Sequence, residues 1–276
     1  MIRIFKLTQS IFYVFLLVSC SSIAVKTYNL ESPAIAEQSY VKIVLISDLH
    51  STIYGPEQSA LIDLVKNINP DIIILSGDIY DDVVPHTGTR LLLSGISSIA
   101  PVFYVTGNHE YMTENIASIR KELVSFGVTI LSDAYIPITV KHNEMIIAGI
   151  EDPYKQDYET PDYNQNDAME AAFRELDNIS VYKILVAHRP EKIDTYKNYS
   201  FDLVLSGHTH GGQVRLPPFI NGLYAPHQGL FPKYGGGLYA HNGLTHIISR
   251  GLSVKPFLPR IFNPPELVVI IIENAE

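Results

Sequence analysis

The chain has 276 residues, 46% of them hydrophobic and 18% charged, which excludes a disordered protein and supplies enough apolar material for one large core. Its formal charge of −9, from 20 Lys and Arg against 29 Asp and Glu, excludes a broad nucleic-acid-binding surface and suits an acidic metal site. One cysteine, Cys20, excludes internal disulfides and a cysteine-built zinc site.

Residues 1–19 carry Arg3 and Lys6 ahead of a short apolar stretch, Ile11 to Val18, and then a small-residue junction, the pattern of an export signal. The junction, "LVSC" at 17–20, resembles the bacterial lipobox, in which the cysteine is acylated and becomes the mature N-terminus. An uncleaved transmembrane anchor from Ile11 to Val25 is the alternative, although the apolar run is short for a span. Residues 20–40 lack periodicity and carry polar residues and a Pro, so they read as a tether. Residues 41–276, without internal repeats, read as a single domain.

"VKIVLIS" (41–47) is a continuous β-branched run of the kind buried on both faces of a sheet, and it runs into Asp48-Leu49-His50. Leu61, Leu64, Val65 and Ile68 are then spaced as a helix, "DIIILS" (71–76) returns as a strand ending in Gly77-Asp78, and a second helix is predicted around 88–99. "PVFYVT" (101–106) ends in Gly107-Asn108-His109-Glu110, where Asn108 and His109, as successive residues leaving an extended strand, are expected to point in opposite directions. Strand and helix alternate, which predicts parallel βαβ units. The second half has short alternating runs at 136–142 and 144–150, an amphipathic helix near 166–178, "VYKILVAHRP" (181–190) delivering His188, and "FDLVLS" (201–206) delivering His208 and His210.

Five buried strands thus end in potential ligands: Asp48 and His50, Asp78, Asn108, His188, and His208 with His210. Sites in open α/β sheets form beyond the carboxyl ends of strands, so these residues can converge. In Asp-x-His and His-x-His an extended backbone would point both side chains the same way. The donors are oxygen and nitrogen without sulfur, which suits Mn, Fe or Zn. Seven donors exceed what one tetrahedral ion needs, so two divalent ions are expected, with Asp78 as bridge and His208 and His210 divided between them.

The order D-x-H, G-D, G-N-H-E, H, G-H-x-H closely resembles the calcineurin-like metallophosphoesterase family. "GNHE" and "GHTHGG" are the most specific pieces, and "GHTHGGQVRLP", "LYAPHQGLFPKYGGGLY", "ISRGL" and "NPPELVVIII" are similar to its small exported, membrane-anchored bacterial members. The resemblance implies an α/β fold: a four-layer α-β-β-α sandwich of two mixed sheets flanked by helices. It implies that Asp48, His50, Asp78 and His210 hold one ion and Asp78, Asn108, His188 and His208 the other. His109 would then be the catalytic residue facing the substrate, with Mn the preferred metal.

The function expected is hydrolysis of a phosphate ester, more specifically a diester, outside the cytoplasmic membrane, with the protein held there through acylated Cys20. The substrate could be a lipid head group, an envelope polymer or a nucleotide. A sugar-lipid pyrophosphatase of the envelope and a metal-stabilised scaffold protein are the rival readings; no long apolar insertion for acyl chains supports the first, and the complete ligand set opposes the second. Asp71, Asp81, Asp82 and Glu110 are candidate partners for the ligand imidazoles. Arg250 is read as a phosphate contact or a structural ion pair, "YGGGLY" (234–239) as a loop bordering the site, and 151–166 as a solvated connection. His86, His142, His241 and His246 are assigned to surface or packing, with His227 left open.

Overall fold

The computed structural model describes residues 22–255 and 258–275. Cys20 and the expected leader lie outside them. No helix among the described residues is long and apolar enough to cross a membrane.

The first sheet has six strands: β1 (Ala24–Ser32), β2 (Tyr40–Ile46), β3 (Ile72–Ser76), β4 (Val102–Val105), β5 (Thr129–Ile130) and β14 (Glu266–Asn274), in the order β1-β14-β2-β3-β4-β5. β2 to β5 are parallel, β14 is antiparallel to β2, and β1 runs parallel to β14. The second sheet is built from β6 (Ala134–Val140), β7 (Asn143–Ile150), β8 (Tyr182–Ala187), β9 (Leu203–Ser206), β12 (Gly237–His241) and β13 (Leu244–Ile248), in the order β12-β13-β9-β8-β7-β6. Its inner four strands are parallel and its edges antiparallel. A two-stranded ribbon, β10 (Tyr224–Ala225) with β11 (Gly229–Leu230), lies outside both.

Alternate residues of the strands face opposite sides, and each side has its own apolar partner. Ile43, Leu45, Ile72 and Ile74 of the first sheet meet Met145, Ile147, Ile184 and Val186 of the second, which forms the layer between the sheets. On the outer face of the first sheet, Val44, Ile46, Ile73 and Leu75 pack against helices α1 (Ser59–Ile68), α2 (Thr87–Ile96) and α4 (Ile116–Ser125) through Leu61, Val65, Leu92, Leu93, Ile119 and Leu123. Helix α3 (Asn108–Met112) precedes α4. On the outer face of the second sheet, Ile146, Leu185 and Val204 meet Met169 and Phe173 of α6 (Gln165–Phe173), and Ile193 and Tyr196 of α7 (Ile193–Tyr196). A short helix, α5 (Lys155–Tyr158), lies ahead of α6. The four-layer α-β-β-α sandwich is the fold expected.

Three expectations need correction. Residues 24–32 are not tether but edge strand β1, registered with β14 from Ala24 opposite Glu266 to Ser32 opposite Asn274. Its polar, half-exposed composition hid it, and its partner lies more than 240 residues away. The helix expected at 166–178 ends at Phe173 and continues only as a 3₁₀ turn through Asn178. Asn108 and His109 do not leave β4 in extended form; they occupy the first turn of α3.

Candidate metal centre

The parallel strands of both sheets deliver their carboxyl ends to one edge, and the expected ligands meet there. Asp48, His50, Asp78 and His210 form one group in which each offers a donor atom within 4.8 Å of the others. Asp78, His188 and His208 form a second. The carboxylate of Asp78 belongs to both, and its Oδ2 lies 3.6 Å from His50 Nε2 and 3.1 Å from His188 Nε2.

The backbone at these positions is strained. Asp48 (φ 50°), His50 (φ 47°), Asp78 (φ 52°), His208 (φ 71°) and His210 (φ 49°) all adopt left-handed conformations. The extended-chain argument for Asp-x-His and His-x-His therefore does not apply: Asp48 and His50 converge through turns, while His208 and His210 diverge into separate groups. Left-handed residues cost about 1–3 kcal/mol each and collect where function over-determines the backbone. Small neighbours make the turns possible. A Cβ on Gly107 would lie 2.2 Å from Asp78 Oδ1, and one on Gly251 would lie 2.6 Å from the Cβ of Asp48.

Hydrogen bonds on one ring nitrogen leave the other free for the centre. His50 Nδ1 pairs with Asp81 Oδ2 (2.9 Å), His188 Nδ1 with the Ser76 carbonyl (2.7 Å), and His210 Nδ1 with Ser253 Oγ (2.8 Å). His50 Nε2 and His188 Nε2 are buried and make no hydrogen bond, and the same holds for Asn108 Oδ1. Two buried imidazole nitrogens that make no hydrogen bond, 3.6 and 3.1 Å from one carboxylate oxygen, are what bound cations would satisfy, so the residues present fit a pair of ions. Asn108 is the oxygen ligand expected for the second group, and its Oδ1 is among these unpaired atoms. Burial holds His208 and His210 well below the usual imidazole range, which keeps them neutral as metal coordination requires. Asp78 is also buried, but His188, His109 and His50 outweigh the burial and hold it well below the carboxylate range.

His109 is set apart. Its side chain is 20% exposed, its Nδ1 meets Asp82 Oδ1 at 2.5 Å, and its backbone N–H donates to Asp78 Oδ1 at 2.9 Å. Burial opposes its protonation, but Asp78 and Asp82 more than compensate and raise its pKa. The ring stands edge-on to His50 at 4.4 Å between centroids and has a donor within 4.8 Å of those of His50 and Asp81.

Of the candidate partners, Asp81 orients His50 and Asp82 orients His109. Glu110 touches no imidazole; its carboxylate accepts the N–H groups of Asp78, Ile79, Tyr80 and Gly107 and so holds the β3 and β4 exit turns together. Burial, and then the charge of Asp78, raise its pKa to about 7. Asp71 lies elsewhere, bonded to the Lys42 backbone and Lys141. Arg250 pairs with Glu266, a structural contact. The Gly235 carbonyl accepts from Thr209, so the glycine loop backs the His208–His210 turn.

Two residues escaped the sequence reading. Arg189 is buried and bonds Asp152 through Nε (2.6 Å) and Nη2 (3.0 Å), while its Nη1 reaches His208 Nε2 (3.2 Å) and His227 Nδ1 (2.6 Å). Asp152 opens the 151–166 segment, so that stretch is not wholly a solvated loop: Glu151 and Asp152 are buried and only its later part is exposed. The signal was present, because "EMIIAGI" is a sixth parallel strand running into "ED". His227 sits beside His208, with 3.0 Å between Nδ1 and Nε2.

A carboxylate shared between two imidazole-rich pockets is what two divalent ions bridged through one ligand require, and the class so defined is the dimetal phosphoesterases. Comparison with known proteins narrows it: the family model for calcineurin-like phosphoesterases matches residues 41–212, and the chain belongs to that family. It is 31% identical over 238 residues to an uncharacterised metallophosphoesterase of Helicobacter pylori (strain J99), covering 83% of this chain and 59% of that protein. Over 212 residues it is 30% identical to the phosphodiesterase YaeI of Escherichia coli (strain K12), covering 75% and 72%. Among solved structures, the fold is similar to the NAD nucleotidase NadN of Haemophilus influenzae (TM-score 0.53, 15% identity, 79% of this chain and 46% of that one) and to TT1561 of Thermus thermophilus (TM-score 0.50, 13% identity, 78% and 91%).

Proposed function

We propose that this chain hydrolyses phosphodiesters at the outer face of the cytoplasmic membrane, anchored through acylated Cys20 and using two manganese ions. The observation that carries the catalytic part is the sharing of Asp78 between two donor groups, with His50 Nε2 and His188 Nε2 buried beside its carboxylate and making no hydrogen bond. A pair of bound ions supplies Lewis-acid polarisation of the phosphoryl oxygens and a water acidic enough to attack phosphorus near neutral pH. The protein does the rest. Asp78 and Asp48 set the negative charge that holds the cations, and the neutral imidazoles of His208 and His210 complete the shells. His109, fixed by Asp82 through Nδ1 and partly exposed, donates a proton to the departing oxygen from its other ring nitrogen, a step worth about 10²–10⁴-fold.

The name of the Escherichia coli relative supports a diester substrate, and the oxygen and nitrogen donor set supports manganese over metals that prefer thiolate. The leader and "LVSC" support the location. The test is metal analysis of the purified protein with chromogenic mono- and diesters assayed side by side. Two ions per chain and faster diester cleavage are expected; protein that takes up no Mn²⁺ when it is supplied, or that holds two ions and hydrolyses neither ester, refutes the catalytic reading. Independently, C20A should lose labelling by acyl chains, and continued labelling refutes the anchor.

A further inference from the structure

A cleft of about 820 Å³ opens directly beside the metal centre, and its walls are of the wrong character for a simple phosphate ester. Its buried end is formed by His50 and Asp81, the ligand and its partner. Its outer walls are Ile53, Val83, Val84 and Val254, which are 50%, 83%, 44% and 42% exposed. Lys255 lies between the two zones with Nζ 3.5 Å from Asp81 Oδ2. A contiguous set of exposed aliphatic side chains leading into a polar, cation-bearing end is a binding surface for an amphiphile, since isolated soluble proteins seldom leave such a patch uncovered.

The topology gives the cleft an orientation. β1 starts at Ala24, opposite Glu266, and β14 runs antiparallel to β2 with Val268 opposite Leu45, so the start of β1 lies at the Asp48 end of β2. Glu266 N–H in turn bonds the carbonyl of Gly251, which packs against Asp48. The chain therefore enters the domain on the edge that carries the metal centre and, three residues beyond Gly251, Val254 of the cleft. Cys20 precedes Ala24 by four residues, a reach of at most about 14 Å for extended chain. The acyl anchor proposed at Cys20 would hold this edge, rather than the opposite one, against the membrane.

We infer that the substrate is an amphiphilic membrane phosphate ester whose acyl portion lies along Ile53, Val83, Val84 and Val254 while its phosphate sits at the centre beside Lys255. The inference rests on the phosphoesterase reading and adds the substrate class. It differs from the sugar-lipid expectation in needing no inserted acyl-binding segment: the exit turns of β2, β3 and β13 supply the walls.

The test uses the purified full-length protein and two homologous ladders. Metal-loaded protein is titrated calorimetrically with methyl-, hexyl- and decylphosphonate, which cannot be hydrolysed. Metal-loaded protein is assayed on p-nitrophenyl phosphodiesters carrying methyl, hexyl and decyl groups. Affinity and kcat/KM should each rise about twofold to fourfold per buried methylene until the cleft is filled. In I53D and V84D the decyl-to-methyl ratio should fall at least tenfold. A ratio near one in the wild type, with the methyl ester still hydrolysed, overturns the inference and leaves the phosphoesterase reading intact. A concentration-dependent dimer that I53D abolishes also overturns it, because the patch is then an interface between copies. Failure to cleave any ester, with two ions bound, instead refutes the phosphoesterase reading.

Discussion

Replacing Glu110 by Gln tests whether one buried carboxylate organises the centre through the backbone. Oε1 accepts from Ile79 (2.7 Å) and Tyr80 (3.1 Å), and Oε2 from Asp78 (3.0 Å) and Gly107 (2.8 Å). An amide of the same shape has one oxygen and one NH₂, so in either orientation two of the four buried N–H groups face a donor. Each buried donor left without an acceptor costs about 1–3 kcal/mol, which puts the loss for E110Q at about 2–6 kcal/mol with no cavity created. The comparison belongs at pH 8 in metal-free protein, above the value of about 7 to which burial and Asp78 raise this carboxyl. Urea unfolding measures the stability, and calorimetric titration with Mn²⁺ measures the second consequence, weaker binding at both sites because the Asp78 turn loosens. A stability loss under about 1 kcal/mol together with unchanged Mn²⁺ affinity refutes the reasoning.

Three further outcomes follow from the same geometry. D78N should weaken both metal sites in elemental analysis; two tightly held ions with near-normal turnover would remove Asp78 from the bridging position. H109A should keep close to two ions while losing about 10²–10⁴-fold in turnover, less for nitrophenolate leaving groups that depart without a proton, and loss of metal in step with activity would make His109 a ligand. His246, buried and bonded to Ser206, has its pKa lowered by burial to about 3. Its unfolded form takes up a proton below pH 6.5 and its folded form does not until about 3, so stability falls as pH drops through that window by up to about 1.4 kcal/mol per unit. H246Q, measured metal-free, should flatten that slope between pH 6 and 4; parallel curves would show that the imidazole is not the cause.

The sequence by itself singled out the donor residues that the fold brings together and most of the strands that carry them. Continuous apolar runs such as "VKIVLIS" and "DIIILS" can only be buried strands, and a polar residue at the end of such a run has few places to go but the sheet edge. Whatever depends on pairing across the chain was decided by tertiary structure. β1 reads as tether because its strand partner among the described residues, β14, is distant in sequence, and an edge strand needs no strong pattern of its own. The direction of the ligand pairs also escaped, because left-handed turns at Asp48, His50, His208 and His210 replace the extended backbone that spacing suggests. Arg189 and Asp152 acquire meaning only where β7 and β8 lie side by side, since a buried ion pair is defined by proximity and not by residue type. The cleft beside His50 belongs to the same class: Ile53, Val84 and Val254 are ordinary surface residues in sequence and form a wall only because three exit turns meet at one edge.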